Sequence, residues 1–311
     1  MEVVLANLFE WTGECPYWDE RNQELSLVDA CTTSGSSKIF RWNPTTKFMK
    51  SFEMKKCASF NIPCSDQRYS IVSNKNETFQ VDWESLNHEN QKLLFAVDID
   101  KPLNRFNDAK CDKKGVLVAG TMSDESSPGV VLNPNGGSLF KYKKGNSEAI
   151  VMDTGYDLSN GLDWNANGDK MFFVDSCARQ IYVFDYDSEN SNISNKRVCI
   201  DFNNYSSVDL GLPDGLTMDS KNHLWVACFW AGAVVQFDLE TERILQKISL
   251  PTKCTTSCCF GGSKFTDMYV TSSKFGVAGD PDKGIEFAGS VFRIPGSVHG
   301  SSGVAMNYYQ C

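Results

Sequence analysis

Apolar residues in this chain fall in short runs closed by Gly, Asn, Asp or Pro, as in Leu25-Ser26-Leu27-Val28, Met171-Phe172-Phe173-Val174 and Val234-Val235-Gln236-Phe237. Runs of this length, rich in β-branched and aromatic residues and bounded by turn formers, predict strands. No long amphipathic helical pattern competes with them. A nine-residue phrase precedes four of these runs, opening at Glu14, Asn107, Asn160 and Asp214. In each copy Asp or Asn follows five residues after the opener, and Asn or Gly closes the phrase eight residues after it. The last two positions have a turn reading, because Asp and Asn bond their own backbone and Gly or Asn tolerates positive φ. The polar opener has no such explanation.

The last three openers lie 53 and 54 residues apart, and a gap of 93 before Asn107 leaves room for one more unit. That unit is degenerate: it contains Phe60-Asn61-Ile62-Pro63 and Tyr69-Ser70-Ile71-Val72 but no carboxylate at the opening position. A sixth unit starts near Thr255-Thr256-Ser257, inserts a loop around Gly279-Asp280-Pro281-Asp282 and ends with Ser290-Val291-Phe292-Arg293-Ile294. A strand-built period near fifty predicts a propeller. The expected fold is therefore all-β, a six-bladed β-propeller with residues 1–311 as one domain and residues 1–10 supplying a strand to the last blade. The polar stretch from Ser123 to Gly137 is the longest insertion and a candidate lid.

First strands of propeller blades line the central channel, so the openers should face one another around its axis. Two carboxylates brought together there would repel, and a cation would relieve them. Glu14 and Asp214 offer two charges and Asn160 a neutral oxygen, a set suited to a hard divalent ion with coordination positions left for water or substrate. Polar channel residues solvated by water remain the alternative on spacing alone.

Composition narrows the function. With 30 Lys and Arg against 39 Asp and Glu, the formal charge of -9 argues against a nucleic-acid or anionic membrane partner. The N-terminus has no signal-peptide pattern and no run reaches membrane-spanning length, so a cytoplasmic location is expected, with the twelve cysteines as reduced thiols. Cys15, Cys111, Cys228, Cys258 and Cys259 read as packing residues, and Trp18, Trp164 and Trp225 as contacts between blades.

Several motifs together resemble the family of regucalcin (senescence marker protein), gluconolactonase and the luciferin-regenerating enzyme: Gly13-Glu14-Cys15-Pro16-Tyr17-Trp18, Arg105-Phe106-Asn107-Asp108, Asn160-Gly161-Leu162-Asp163-Trp164, Pro213-Asp214-Gly215 and Thr255-Thr256-Ser257-Cys258-Cys259-Phe260-Gly261-Gly262. The resemblance spans nearly the whole chain; Ala109 stands where the family usually has Gly. It implies one divalent ion (Ca, Mg, Mn or Zn) held by Glu14, Asn160 and Asp214, and substrate contacts from Arg105, Asn107 and Glu125, the last on a closing loop. The expected activity is metal-dependent opening of small sugar-type lactones with Asp214 as the base, by a monomer acting on a small molecule. Two alternatives are a luciferin-regenerating type of enzyme acting on a heteroaromatic substrate and a non-catalytic calcium-binding regulator.

Overall fold

The computed structural model describes residues 1–30, 35–275 and 285–311. Six four-stranded antiparallel sheets form the blades of a propeller. The first runs through Thr12–Asp19, Glu24–Ala30, Ser37–Trp42 and Met49–Met54, and the second from Asn61–Pro63 to Lys92–Ala96. The third begins at Asn104–Cys111, the fourth at Ser159–Trp164, the fifth at Leu212–Met218 and the sixth at Thr255–Gly261. The sixth blade takes its outermost strand from Glu2–Leu5, which pairs antiparallel with Val291–Ile294 and closes the ring as expected. The expected loop around Gly279–Asp282 lies outside the described residues.

Burial explains why the inner strands lack strict polar alternation. His223–Phe229 is buried at every position but its first, because a neighbouring blade covers each face of the sheet, whereas the outer strand Arg243–Ser249 is exposed at alternate positions. Large side chains fill the seams between blades. Trp18 of the first blade stacks on Tyr269 of the sixth at 5.5 Å, and Trp225 of the fifth meets Phe260 of the sixth edge-on at 6.3 Å. Each such side chain, fully buried, contributes about 1.5–3 kcal/mol.

The repeated phrase resolves into two structural parts. The residue five after its opener caps the turn to the second strand: Asp112 Oδ1 accepts from the amides of Lys114 and Val116, Asn165 Oδ1 from Gly168 and Lys170, and Asp219 Oδ1 from Lys221 and His223. The closing residues Gly115, Gly168 and Asn222 sit at positive φ, as the turn reading requires. In the first blade the left-handed residue is Gln23, one place later.

The opener sits where strand pairing slips. Register shifts fall between Glu14 and Tyr17, Phe106 and Ala109, Ser159 and Leu162, Pro213 and Leu216, and Thr255 and Cys258. A bulge there re-aims one side chain while the rest of the strand keeps its register.

Two cysteine expectations have different outcomes. Cys15, Cys111, Cys228, Cys258 and Cys259 are buried packing residues. The expectation of reduced thiols throughout is corrected at Cys57, which is disulfide-bonded, while ten described cysteines are free.

Candidate metal centre and substrate pocket

A cavity of ≈ 420 Å³ opens at the end of the channel where the blades begin, and Glu14, Asn107, Asn160 and Asp214 all line it. The same slot in the sixth blade holds Thr256, whose hydroxyl donates to the Gly13 carbonyl at 2.5 Å and so ties that blade to the strand of Glu14.

The donor set is held from behind. Asn160 Nδ2 donates to Ser176 Oγ at 3.0 Å, and Ser176 Oγ donates to the Pro213 carbonyl at 2.6 Å, so one hydroxyl joins the Asn160 amide to the strand that carries Asp214. With its nitrogen committed, the Asn160 amide is left with Oδ1 buried and without a hydrogen-bond partner, and Asp214 Oδ1 is in the same condition. Buried acceptors of this kind cost about 1–3 kcal/mol each unless something satisfies them.

Electrostatics agrees. Burial, then the charge of Asp108, raises the Glu14 carboxyl well above its usual range; burial, then the charge of Glu14, does the same to Asp214. Asp108, the residue after the third opener, is pushed up to about 6 by burial. Among the described residues no three His, Cys, Asp or Glu side chains gather as a metal cluster. The set at this site is two carboxylates and an amide, and its two unpartnered oxygens fit a hard divalent cation.

The expected substrate residues lie in the same cavity. Arg105 Nη1 donates to Asn107 Oδ1 at 2.9 Å, and Asn107 Nδ2 donates to the Ser159 carbonyl at 2.8 Å. Arg105 Nη2 stands 3.6 Å from Glu125 Oε2, and Glu125 Oε1 accepts from the Gly129 amide at 2.8 Å. Glu125 belongs to a small hairpin, Glu125–Ser127 paired with Val130–Val131, inside the insertion expected as a lid. Asp124, Ser126, Pro128 and Gly129 also line the cavity, so the hairpin forms one of its walls.

Sequence reasoning missed two features. Ser176, the pivot of the donor set, follows the strand Lys170–Asp175 with no periodic signal to mark it. The second is a set of apolar lining residues, Trp11, Leu158, Leu212, Phe229 and Phe275. Trp11 and Phe275 pack with ring centroids 4.9 Å apart. These residues come from four blades, so no stretch of chain displays the set.

Fold and site together define a six-bladed propeller with a channel-end cluster of oxygen donors. A sequence model described as the SMP-30/Gluconolactonase/LRE-like region matches residues 12–274, and the chain belongs to that family. It is 36% identical over 298 residues to regucalcin of Xenopus laevis, covering 95% of this chain and 94% of that protein. It is 34% identical over 301 residues to regucalcin of Homo sapiens, covering 96% and 94%. Among solved structures it resembles a luciferin-regenerating enzyme with a TM-score of 0.87 at 27% identity, covering 98% of this chain and 97% of that one. A calcium-binding regucalcin from Agrobacterium tumefaciens strain C58 shares the fold with a TM-score of 0.85 at 20% identity, covering 99% and 97%.

Proposed function

We propose that this protein is a divalent-metal-dependent hydrolase that opens small sugar-type lactones. The observation that carries the reading is the pair of buried, unpartnered oxygens on Asn160 and Asp214 beside the buried Glu14 carboxylate. Family membership supports it, since gluconolactonase is among the proteins the family is named for. Glu14, Asn160 and Asp214 would hold the ion, which when bound supplies Lewis-acid polarisation of a carbonyl. Asp214 takes the proton from the water that attacks the lactone carbon. Arg105, Asn107 and Glu125 hold the ring hydroxyls, and such a site rejects analogues that leave its buried polar groups unmatched.

Asp214→Asn should lower kcat by about 10²–10⁴-fold with the thermal midpoint retained. A variant with undiminished turnover overturns the assignment of the base. Activity restored to chelated protein by Ca²⁺, Mg²⁺, Mn²⁺ or Zn²⁺, one at a time, identifies the working ion; binding of Ca²⁺ with no turnover of any lactone would leave a calcium-binding regulator instead.

One observation favours a second reading within the same chemistry. The rings of Trp11, Phe229 and Phe275 offer flat apolar surface of the kind a heteroaromatic substrate needs. A panel of aldonolactones against aryl-substituted lactones decides between the two. If Trp11→Ala costs about tenfold in kcat/KM for the aryl set and little for the aldonolactones, the aromatic reading prevails.

We also take the protein to be monomeric and cytoplasmic. The ring closes on its own N-terminal strand, and free thiols outnumber bonded ones among the described cysteines, as a reducing compartment favours. No helix among the described residues is long and apolar enough to cross a membrane.

A further inference from the structure

The tail beyond the last blade strand runs along the face of the ring opposite the donor cluster. Val304, Ala305, Met306 and Asn307 line a second cavity of ≈ 410 Å³, together with Lys110 and Asp163, which form an ion pair of 2.7 Å. Tyr17 Oη donates to the Asn307 carbonyl, Asn307 Nδ2 donates to the Cys111 carbonyl at 3.1 Å, and Tyr308 lies under the Arg21 guanidinium at 3.5 Å. The last residues then add to the second blade. Ser65 N donates to the Tyr309 carbonyl at 2.8 Å and Tyr309 N to the Pro63 carbonyl at 3.2 Å, a parallel bridge that sets Tyr309 beside Cys64.

This pairing brings two cysteines 247 positions apart into one neighbourhood. Cys311, two residues past Tyr309, lies close enough to the Cys64 thiol for each to shift the other's titration. Ser65 Oγ lies 3.8 Å from Cys311 Sγ and accepts from the Cys311 amide at 3.4 Å. Arg21 fixes the other side of the segment, donating to the carbonyls of Ser65 at 2.8 Å and Cys64 at 2.9 Å. Cys64 is fully buried while Cys311 is only partly so. The two thiols have opposite characters. The Cys64 thiol, assisted by the Asp66 amide and the Ser65 hydroxyl, draws Cys311 down to about 6, whereas burial pushes Cys258 up to about 12 and Cys199 up to about 11. An accessible thiolate beside a second thiol is the arrangement of a redox-sensitive pair.

We propose that Cys64 and Cys311 form an oxidisable dithiol, which a peroxide converts to a disulfide that staples the C-terminal tail across the floor of the channel. The Cys311 thiolate attacks one peroxide oxygen, the O–O bond breaks, and hydroxide leaves and is protonated to water. Cys64 sulfur then attacks the resulting sulfenic sulfur; its proton goes with the departing hydroxyl as a second water, and the S–S bond forms. Two thiols give up two electrons, and the peroxide accepts them. The staple fixes the segment that walls the second cavity, leaves the donor cluster at the other face untouched, and closes a very long loop of chain, which restricts the unfolded state.

The test treats the protein, with its Cys57 disulfide intact and its Cys64 and Cys311 thiols free, with equimolar hydrogen peroxide and maps its peptides. A linked Cys64–Cys311 peptide is expected, with loss of two hydrogens from the intact mass and a thermal midpoint raised by roughly 5 °C; Cys311→Ser should show none of these. The Cys57 disulfide is present in both proteins and cancels from the comparison. Wild-type protein in which Cys311 proceeds to the sulfinic acid with no linked peptide overturns the pair. A linked peptide with an unchanged midpoint overturns the staple.

Discussion

Ser176 shows how much one hydroxyl can control. It receives the Asn160 amide hydrogen and gives its own to the Pro213 carbonyl, which leaves the Asn160 oxygen as the group turned away from protein partners. Removing it should let that amide rotate, so Ser176→Ala is expected to weaken divalent-ion binding about 10–100-fold, read from the metal concentration needed to raise the thermal midpoint. His299 gives a prediction in pH. It is buried between Trp225 and Phe260, accepts from the Ser301 amide through Nδ1, has no partner at Nε2, and is held below its usual pKa by that burial. A depressed histidine contributes stability above its unfolded value of about 6.5, and that contribution disappears as pH falls through the folded value. Thermal midpoints should therefore drop between pH 7 and pH 5, and drop less in His299→Asn. At this scale the sequence displayed Glu14, Asn160 and Asp214 because each repeats at a fixed phase. Ser176 and Trp11 reach the site from outside that phase and left no mark.

At the scale of elements, the bulged first strand makes the repeated phrase work. Gly161, next to the Asn160 opener, lies so near the fifth blade that an added Cβ would stand 2.3 Å from the Leu216 nitrogen and 2.8 Å from the Asp214 carbonyl oxygen. Gly161→Ala should cost about 1–3 kcal/mol of stability, measured by denaturant titration, and should also lower kcat, because the strand pushed away is the one bearing Asp214. A second prediction concerns the closing strand. Deleting residues 1–6 removes Glu2–Leu5 from the edge of Val291–Ile294 along with the ion pair of Glu2 and Arg293 at 3.1 Å. The exposed edge should lower the thermal midpoint and cause concentration-dependent light scattering. Blade strands were legible because each is a local run between turn formers. The hairpin around Glu125 was visible only as a polar insertion, since its strands are two and three residues long. The tail beyond Ser297 was illegible for a different reason: its partners are spread over the first, second, third, fifth and sixth blades, so no single neighbouring stretch of sequence dictates its path.

For the whole molecule, the proposed ion site should link stability to ions. Glu14 and Asp214 are buried near each other with little compensating charge, so a cation that binds only the folded ring should stabilise it by about 2.7 kcal/mol at a hundredfold excess over its Kd. Calorimetry with and without millimolar Ca²⁺ or Mn²⁺ measures this, and the gain should vanish in Glu14→Gln.

Ring closure by Glu2–Leu5 also has a consequence in time. That strand leaves the ribosome 286 residues (291 − 5) before the strand it must join, Val291–Ile294. At about 5–20 residues per second the wait is about 15–60 s. Throughout synthesis the nascent protein is thus an open arc with an unclaimed β-edge at each end, and its exposure to wrong pairing is set by the pace of translation as much as by the stability of the finished wheel.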